Sequence, residues 1–391
     1  MSLVKRLGMR ALPYGANYLD WADMTELKDA IDQGILFRYQ TETESFATRL
    51  ERHVSRRFEV RNSLGLHNCS EALRLAIIST SPRVGDLVFI PAVTFVAVAG
   101  AVLACGLIPV LVDVDENLSL DASLLPNEAE RVIVAHMEGT IAPLPSGVRW
   151  VIEDAAQAMG GRFPTGEAVG TKGYAGVFSF HHAKVLTSGE GGLLITQDDE
   201  AWARMRKYHD HGSSRVPGAY PQWDADAYYG ENLVTSEAIA AIQLQQFRHL
   251  DAVLTGLEQH YAFAVGEQPV RDGIRFIPRA AGDVKISVRY EFEDPEMRDK
   301  AVRALTAEDI PSWTLNKYFL PDHPVVRDRR SIYADGFPWN LAAGAGHVSA
   351  DDFQTTRARL DRLLCLPLSP ELPREEQAAA VSRFRRVIES V

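Results

Sequence analysis

Short runs of apolar residues punctuate the first half of the chain and leave it few folds to choose from. They are LVFI (87–90), PVLVDV (109–114), RVIVAH (131–136), WVIED (150–154), AGVFSF (175–180) and GLLIT (192–196). Helical stretches fall between some of them, such as VAVAGAVLAC (96–105). Strands apolar along their whole length are buried on both faces. With helices between them they predict an α/β fold built on a mostly parallel sheet covered on both sides. Ligands of such sheets sit at the carboxyl ends of the strands. Asp154 ends one run, His136 ends another, and Lys184 lies just past a third. Ser70, Phe95, His136, Asp154 and Lys184 are therefore expected to converge on one rim.

Lys184 is the centre of FSFHHAKVLTSGEGGLLIT (178–196), two apolar segments around a turn rich in Ser, Thr and Gly. A buried ammonium is costly unless it is paired or neutralised. A lysine amine that goes neutral is a nucleophile toward an aldehyde, with a Schiff base as product. A surface lysine in a hairpin turn is the plain alternative. The stretch NSLGLHNCSEALRLAIIST offers a second feature. Ser70 either caps the helix EALRLAII or lies in its first turn. Free N–H groups and the positive dipole end make a helix N-terminus suitable for a phosphate, although a simple cap needs no ligand.

Composition narrows the partners. The 391 residues are 46% hydrophobic and 24% charged, ordinary globular values with ample material for a large core. A formal net charge of −11 argues against nucleic acid and anionic membrane as main partners. No apolar run approaches the length of a membrane span. Cys69, Cys105 and Cys365 lie far apart with no metal-ligand spacing, and read as reduced thiols of a cytoplasmic protein. Lys5, Arg6 and Arg10 are not followed by an apolar segment, so no signal peptide is expected.

The flanks complete the plan. MTELKDAIDQGIL (24–36) has helical spacing, and Phe46, Leu50 and Val54 share one face of a helix over residues 44–58. Residues 213–232, rich in Pro, Gly and Tyr, read as a long loop. One long helix over 237–265 is expected to lead into a second domain. Beyond it, the strand candidates IRFI and VKISVRYEF and helices at 295–307, 351–363 and 375–390 predict a smaller α+β unit. The expected division is a large cofactor-binding domain, 1–250, with an N-terminal arm, and a small domain, 251–391.

These parts match the needs of pyridoxal phosphate: a lysine, an acid for the ring nitrogen, a phosphate cradle and a ring platform. Lys184, Asp154, Ser70 with Ser179, and Phe95 supply them. The sequence also resembles the DegT/StrS-type sugar aminotransferases, fold-type I pyridoxal-phosphate enzymes, over nearly its whole length. VIEDAAQAMGGRF is similar to the family's EDAAQAHG, FSFHHAKVLTSGEGG to its SFHPTKNLTTGEGG, and PAVTFVAVAGAVLACGLIPVLVDVD to its PSFTFVATANAVLYAGATPVFVDID. ENLVTSEAIAAIQLQQFRHLD is similar to its NYRMTELQAAIGLAQL helix, and LCLPLSPEL to its closing LPLHPGL.

The resemblance implies that Lys184 holds the cofactor as a Schiff base and Asp154 faces the pyridine nitrogen. Gln157 would contact the ring or its phenolic oxygen, Phe95 would stack on it, and Ser179 would bind phosphate. Asn232 would reach a neighbouring subunit's phosphate, making a homodimer with shared active sites. Arg38, His181 and Tyr318 fall near positions that shape the substrate cleft. Two departures bear on the substrate and the cradle. Cys69, with Ser70, stands where the family has Gly-Thr, and Val234 replaces the arginine of NYRM. The family's lysine is retained at Lys184, which disfavours the dehydratase branch that carries histidine there. The implied function is ping-pong transfer of an amine from glutamate or glutamine to a keto sugar, nucleotide-linked or a cyclitol, in amino-sugar or antibiotic biosynthesis. The rival readings are elimination, decarboxylation or oxidation on the same fold, and a non-catalytic sensor.

Overall fold

The computed structural model describes residues 14–19, 24–40, 44–215, 220–269, 271–342, 349–371 and 373–390. Seven strands form one sheet: β1 (Asn62–Leu66), β2 (Leu87–Pro91), β3 (Ile108–Val112), β4 (Arg131–Ala135), β5 (Trp150–Asp154), β6 (Ala175–Ser179) and β7 (Gly192–Thr196). Their order is β1-β7-β6-β5-β4-β2-β3. Strands β2 to β6 pair in parallel, and β7 runs antiparallel to both β6 and β1. Every residue of β4, β6 and β7 is buried, as apolar runs without alternation require. Around the sheet lie α1 (Thr25–Asp32), α2 (Phe46–Phe58), α3 (Cys69–Ser79), α4 (Ala97–Ala104) and α5 (Asp199–Tyr208). Phe46, Leu50, Val54 and Phe58 are the buried stripe of α2, and the Ser45 side chain caps it by accepting from Thr48 N.

Register places one rim of this sheet. Leu66 lies opposite Gly192, and Gly192 lies opposite Ser179. The ends of β1 and β6 and the start of β7 are therefore side by side. The parallel neighbours end at the same edge, with Asp154 paired to Ala135 and Val177. The chain leaves this edge into α3 after β1, toward Phe95 after β2, toward His136 after β4 and toward Lys184 after β6.

Where a single helix is expected over 237–265, two are found, α6 (Glu237–Phe247) and α7 (Leu250–Gly266). The N–H groups of Arg248 and His249 bond three residues back, to Gln245 and Gln246, which tightens the last turn and ends α6. Two functions are thus divided: α6 supports the large sheet, and α7 packs into a core with Val288, Tyr290 and Phe292.

Those residues belong to a second, antiparallel sheet of β8 (Ile274–Ile277), β9 (Ser287–Phe292) and β10 (Leu363–Pro367), in the order β10-β9-β8. Helices α8 (Pro295–Ala307), α9 (Gln354–Leu360) and α10 (Arg374–Ser390) accompany it. The helix expected at 351–363 is shorter. A 3₁₀ turn precedes it, and the chain is already a strand at Leu363. The change of sheet falls between Thr196 and Ile274, the stretch that contains the expected boundary at residue 250. After α8 the chain returns to the large sheet, where Tyr318 O accepts from Thr94 N and Ala92 O from Leu320 N, each at 2.9 Å.

Candidate active site

The lysine loop is held from below by two buried glutamines of α6. Thr187 N donates to Gln246 Oε1 at 3.2 Å, and Gln243 Nε2 donates to Ser188 Oγ at 3.1 Å. Both glutamines are fully buried in the otherwise apolar run IAAIQLQQF. Phe180 O accepts from Ser188 N and Thr187 Oγ1, closing the loop, and Lys184 N donates to His181 O. Val185 and Leu186 are buried and anchor the lysine from its C-terminal side.

Burial pushes the Lys184 amine below its ordinary value, against the opposing pull of Asp154, Cys69 and Glu138. Burial likewise pushes Asp154 up, opposed by the Ala156 N–H, by Lys184 and by His136. Each group alone is driven toward its neutral form, and each favours the other's charge. Lys184 is thus a neutral-prone amine with a carboxyl partner, which separates it from a surface lysine in a turn. The Asp154 carboxylate accepts from Ala156 N at 3.1 Å.

Behind Asp154, His136 is fixed in one tautomer. Its Nδ1 accepts from Ala142 N at 3.1 Å, so Nε2 carries the proton and faces Glu153 Oε2 at 3.2 Å. Glu153 is completely buried and also accepts the N–H groups of Gly170, Lys172 and Gly173. His136 is a supporting residue of the rim.

The helix cap is Asn68, not Ser70: Asn68 Oδ1 accepts from Glu71 N at 2.9 Å, and Ser70 sits exposed in the first turn. Asn68 O takes the Ala72 N–H. Among the described residues, the N–H groups of Cys69 and Ser70 are thus left for a ligand at the positive end of α3. Ser179 Oγ accepts from His181 N at 3.2 Å, which leaves its hydroxyl proton to donate across the rim. Cys69 feels the charges of Asp154 and Lys184 in opposite senses; burial first, then Asp154, raises its pKa well above the ordinary value.

Gln157 accepts from Glu138 N through Oε1 at 2.8 Å, which fixes the amide and frees its NH₂. Phe95 is 55% exposed at the rim, an unusual state for a large apolar ring. Tyr318 stands edge-on to it, with ring centroids 6.4 Å apart. Burial, with Glu138 and Cys365 adding, raises the Tyr318 hydroxyl to about 12.

Three expected residues have other surroundings. The Arg38 guanidinium is buried and clasped by both oxygens of Glu51 on α2, a carboxylate that also accepts Gly65 N. Its contacts are those of an internal ion pair. His181 adjoins Lys184 in the loop but turns toward His182 and Glu190. Asn232 is exposed, its Oδ1 3.4 Å from Val234 N, and Val234 is buried in a bridge to Leu66.

The profile of the DegT/DnrJ/EryC1/StrS aminotransferase family matches residues 18–385. The chain belongs to that family. It is 30% identical to the UDP-N-acetyl-3-dehydro-α-D-glucosamine 3-aminotransferase of Acidithiobacillus ferrooxidans, over 86% of this chain and 87% of that one. It is 32% identical to the L-glutamine:2-deoxy-scyllo-inosose aminotransferase of Streptoalloteichus tenebrarius, over 77% and 76%. Helicobacter pylori PseC, an aminotransferase involved in the biosynthesis of pseudoaminic acid, shares the fold with a TM-score of 0.79 over 98% of this chain and 99% of that one, at 16% identity. The fold is that of the fold-type I aminotransferases, and this chain is a pyridoxal-phosphate-dependent aminotransferase.

The residues present fit that cofactor. The free N–H groups at the start of α3 suit its phosphate, the exposed Phe95 ring suits its flat face, and Asp154 lies in the rim with Lys184. Several residues of this aminotransferase's site carry no sequence signal that singles them out. Glu138 accepts from Ser287 Oγ and Trp313 Nε1 and acts electrostatically on Lys184. Lys317, exposed beside Tyr318, opposes the charge on Lys184. Gln243 and Gln246 were readable only as polar residues at helical spacing on a buried face.

Proposed function

We propose that this aminotransferase moves the amino group of glutamate or glutamine to a keto sugar, either nucleotide-linked or a cyclitol, in amino-sugar or antibiotic biosynthesis. One observation carries the reading: a half-buried Lys184 at the rim where α3 begins, its amine pushed toward the neutral form by burial and pulled the other way by the charge of Asp154. The acceptor class follows from the two relatives named above, one acting on a nucleotide sugar and the other on an inosose. Pyridoxal phosphate, when bound, supplies an aldehyde that carries the amine between substrates and a ring that takes up electron density from the substrate carbon.

The protein's own residues do the rest. Lys184 Nζ would hold the cofactor's aldehyde and, when free, would move a proton on and off the substrate carbon. Asp154 would keep the ring nitrogen protonated. Ser179, Ser70 and the N–H groups at Cys69 and Ser70 would hold the phosphate. Phe95 would offer its ring as a platform, and the Gln157 NH₂ would be free to donate to the cofactor. His181 and Tyr318 border the opening above Lys184.

A homodimer with shared sites belongs to the same reading, supported by the exposed Asn232 and by the exposed rings of Tyr220, Trp223 and Tyr229 in the preceding loop. Sedimentation at micromolar concentration tests it, and a monomer would remove the shared site. Among the described residues no helix is long and apolar enough to cross a membrane. The three separate free thiols favour the cytoplasm. Replacing Lys184 with Ala should abolish keto-acid release from both donors while the fold persists by circular dichroism. Substantial turnover in that variant would sink the assignment.

A further inference from the structure

Residues Tyr14–Tyr18 of the N-terminal arm form a short 3₁₀ turn, and that turn is seated on the lysine loop. Lys184 N is bonded within its own loop, to His181 O. Lys184 O faces the arm instead and accepts from Gly15 N at 3.4 Å, a long bond. The two backbones lie closer than that bond alone implies. A Cβ at Gly15 would stand 2.4 Å from Val185 O, 2.8 Å from Leu186 Cα and 3.0 Å from Gln246 Oε1. The arm lies this close because residue 15 has no Cβ. Gln246 joins the two segments: its Oε1 accepts from Thr187 N of the lysine loop at 3.2 Å, and its Nε2 donates to Tyr18 O of the arm at 3.3 Å.

Tyr14 anchors the other end. Its ring is buried in one core with Val185, Leu186 and Ile286, and its hydroxyl donates to Ile286 O at 3.0 Å. Its φ of 30° is a left-handed backbone, which a non-glycine residue adopts at a cost. Such a conformation persists only where the surroundings hold it in place. The ring, the hydroxyl and the glycine that follows are what hold it here.

Ile286 leads into β9, whose six residues are all more than nine-tenths buried. Val288, Tyr290 and Phe292 face the helices with Phe384. Ser287, Arg289 and Glu291 lie on the other face, which through Ile277, Leu363 and Cys365 shares a core with Leu66 and Phe319 of the large sheet. The bonds around Ile286 run to the reaction rim. Val284 N donates to Gly139 O at 2.9 Å, and Ser287 Oγ donates to Glu138 Oε2 at 2.9 Å. Ser287 Oγ also accepts from Arg279 Nη2 at 2.8 Å, and that nitrogen is 3.8 Å from the Glu138 carboxylate. The arm therefore spans from the peptide of Lys184 to the segment that grips Glu138.

We propose that Gly15 and Tyr14 are positioning residues of the amine transfer, which strap the Lys184 loop to the lead-in of β9 and so hold Lys184 Nζ where it meets the cofactor's aldehyde. The inference rests on the role given to Lys184 above. The glutamines of α6 fix the loop at Thr187 and Ser188, beyond the lysine. The arm reaches the peptide of Lys184 itself. A flexible side chain is only as well placed as the backbone that carries it, and a misplacement of about 1 Å costs up to about a hundredfold in rate.

The test supplies pyridoxal phosphate to the full chain freed of cofactor. Absorbance follows uptake over a range of pH, and borohydride reduction with peptide mass spectrometry shows which lysine is modified. In Gly15→Ala the arm and the loop must part by about 1 Å to restore an ordinary contact of about 3.4 Å. Uptake at Lys184 should then slow at least about tenfold. The pH midpoint of uptake should also move up, because water admitted beside the amine relieves the burial that lowers it. The other groups that act on the amine, Asp154, Cys69, Glu138 and Lys317, are untouched by the substitution. A lowered melting temperature with rate and midpoint unchanged assigns the arm to packing and overturns the proposal. Tyr14→Phe keeps the ring and removes only the hydroxyl, so it decides the matter if Gly15→Ala does not fold. It should slow uptake by about threefold to tenfold and move the midpoint the same way, as expected for one lost hydrogen bond. An unaltered rate in Tyr14→Phe breaks the link to β9 and overturns the strap. Wild-type protein that carries the cofactor on another lysine sinks the reading of Lys184 instead. Modification of Lys184 at equal rates in wild type and both variants sinks the strap alone.

Discussion

Gly192→Ala is the sharpest probe of how the sheet builds the phosphate cradle. Gly192 opens β7, and the turn entering α3 passes directly over it. A Cβ there would stand 2.2 Å from Asn68 O, 2.3 Å from Asn68 C and 2.8 Å from Cys69 N. All three are backbone atoms, so no side chain can swing aside. Restoring an ordinary contact of about 3.4 Å requires the turn and the strand to separate by about 1.2 Å. The strand is pinned by Leu66 on one side and Ser179 on the other, so the turn must move. Overpacking of this kind costs about 1–3 kcal/mol. Displacing a binding group by about 1 Å costs up to about a hundredfold in function. Pyridoxal-phosphate affinity, read from an absorbance titration, should therefore weaken by about tenfold to a hundredfold, with a lowered melting temperature. Gly100→Ala is the control: nothing lies within 4 Å of its Cβ, and it sits inside α4. It should be neutral or stabilising by up to about 1 kcal/mol. Cofactor affinity within twofold of wild type in Gly192→Ala would refute the argument.

His209 is fully buried, and burial with the Arg38 charge lowers it to about 4. The unfolded chain then binds the extra proton between about pH 6.5 and 4, so stability falls as pH drops through that window, by about 2–3 kcal/mol at pH 4.5. His209→Phe should flatten this part of the denaturation profile, and an unaltered slope would contradict it. Arg38→Ala should cost about 3–5 kcal/mol in urea unfolding, because Glu51 is left buried without its partner. A raised KM with unchanged stability would instead place Arg38 at the substrate. Phe95→Ala should leave the melting point of the cofactor-free protein nearly unchanged, since the ring is half exposed, but weaken cofactor binding by about tenfold. Loss of stability without loss of affinity would show that the ring serves packing.

The large sheet was legible because strands covered on both faces are written as unbroken apolar runs. Asp154 stood out because it ends such a run, and Lys184 because it lies just past one. Asn68 in the cap position was not, since Asn and Ser are near equals as caps and only the backbone decides between them. The break at Arg248 and His249 was hidden because apolar spacing continues through a tightened turn. Arg38 was assigned by resemblance to the substrate cleft, and its ion pair went unseen because Glu51 was hidden on the inner face of an amphipathic helix. VKISVRYEF showed its alternation plainly. Alternation normally means one solvated face, and nothing local told that the face with Arg289 would close against the large sheet.

Glu138 explains why that closure matters at the lysine. It has a φ of 55°, a left-handed conformation that a non-glycine residue adopts at some cost, and the next residue, Gly139, has a φ of 76°. The pair of reversals turns the Glu138 N–H toward Gln157 and its carboxylate toward Ser287 and Trp313. Gly139 cannot be larger, because a Cβ would meet Val284 O at 2.1 Å, and Gly139 O accepts from Val284 N at 2.9 Å. The rim of the large sheet is thus bonded directly to the lead-in of β9. Lys184 takes its field from Asp154 on its own sheet and from a carboxylate whose partners lie on the other. A change at Arg279 or Ser287 alters the position and neutralisation of Glu138, and is felt at Lys184 with no contact to it.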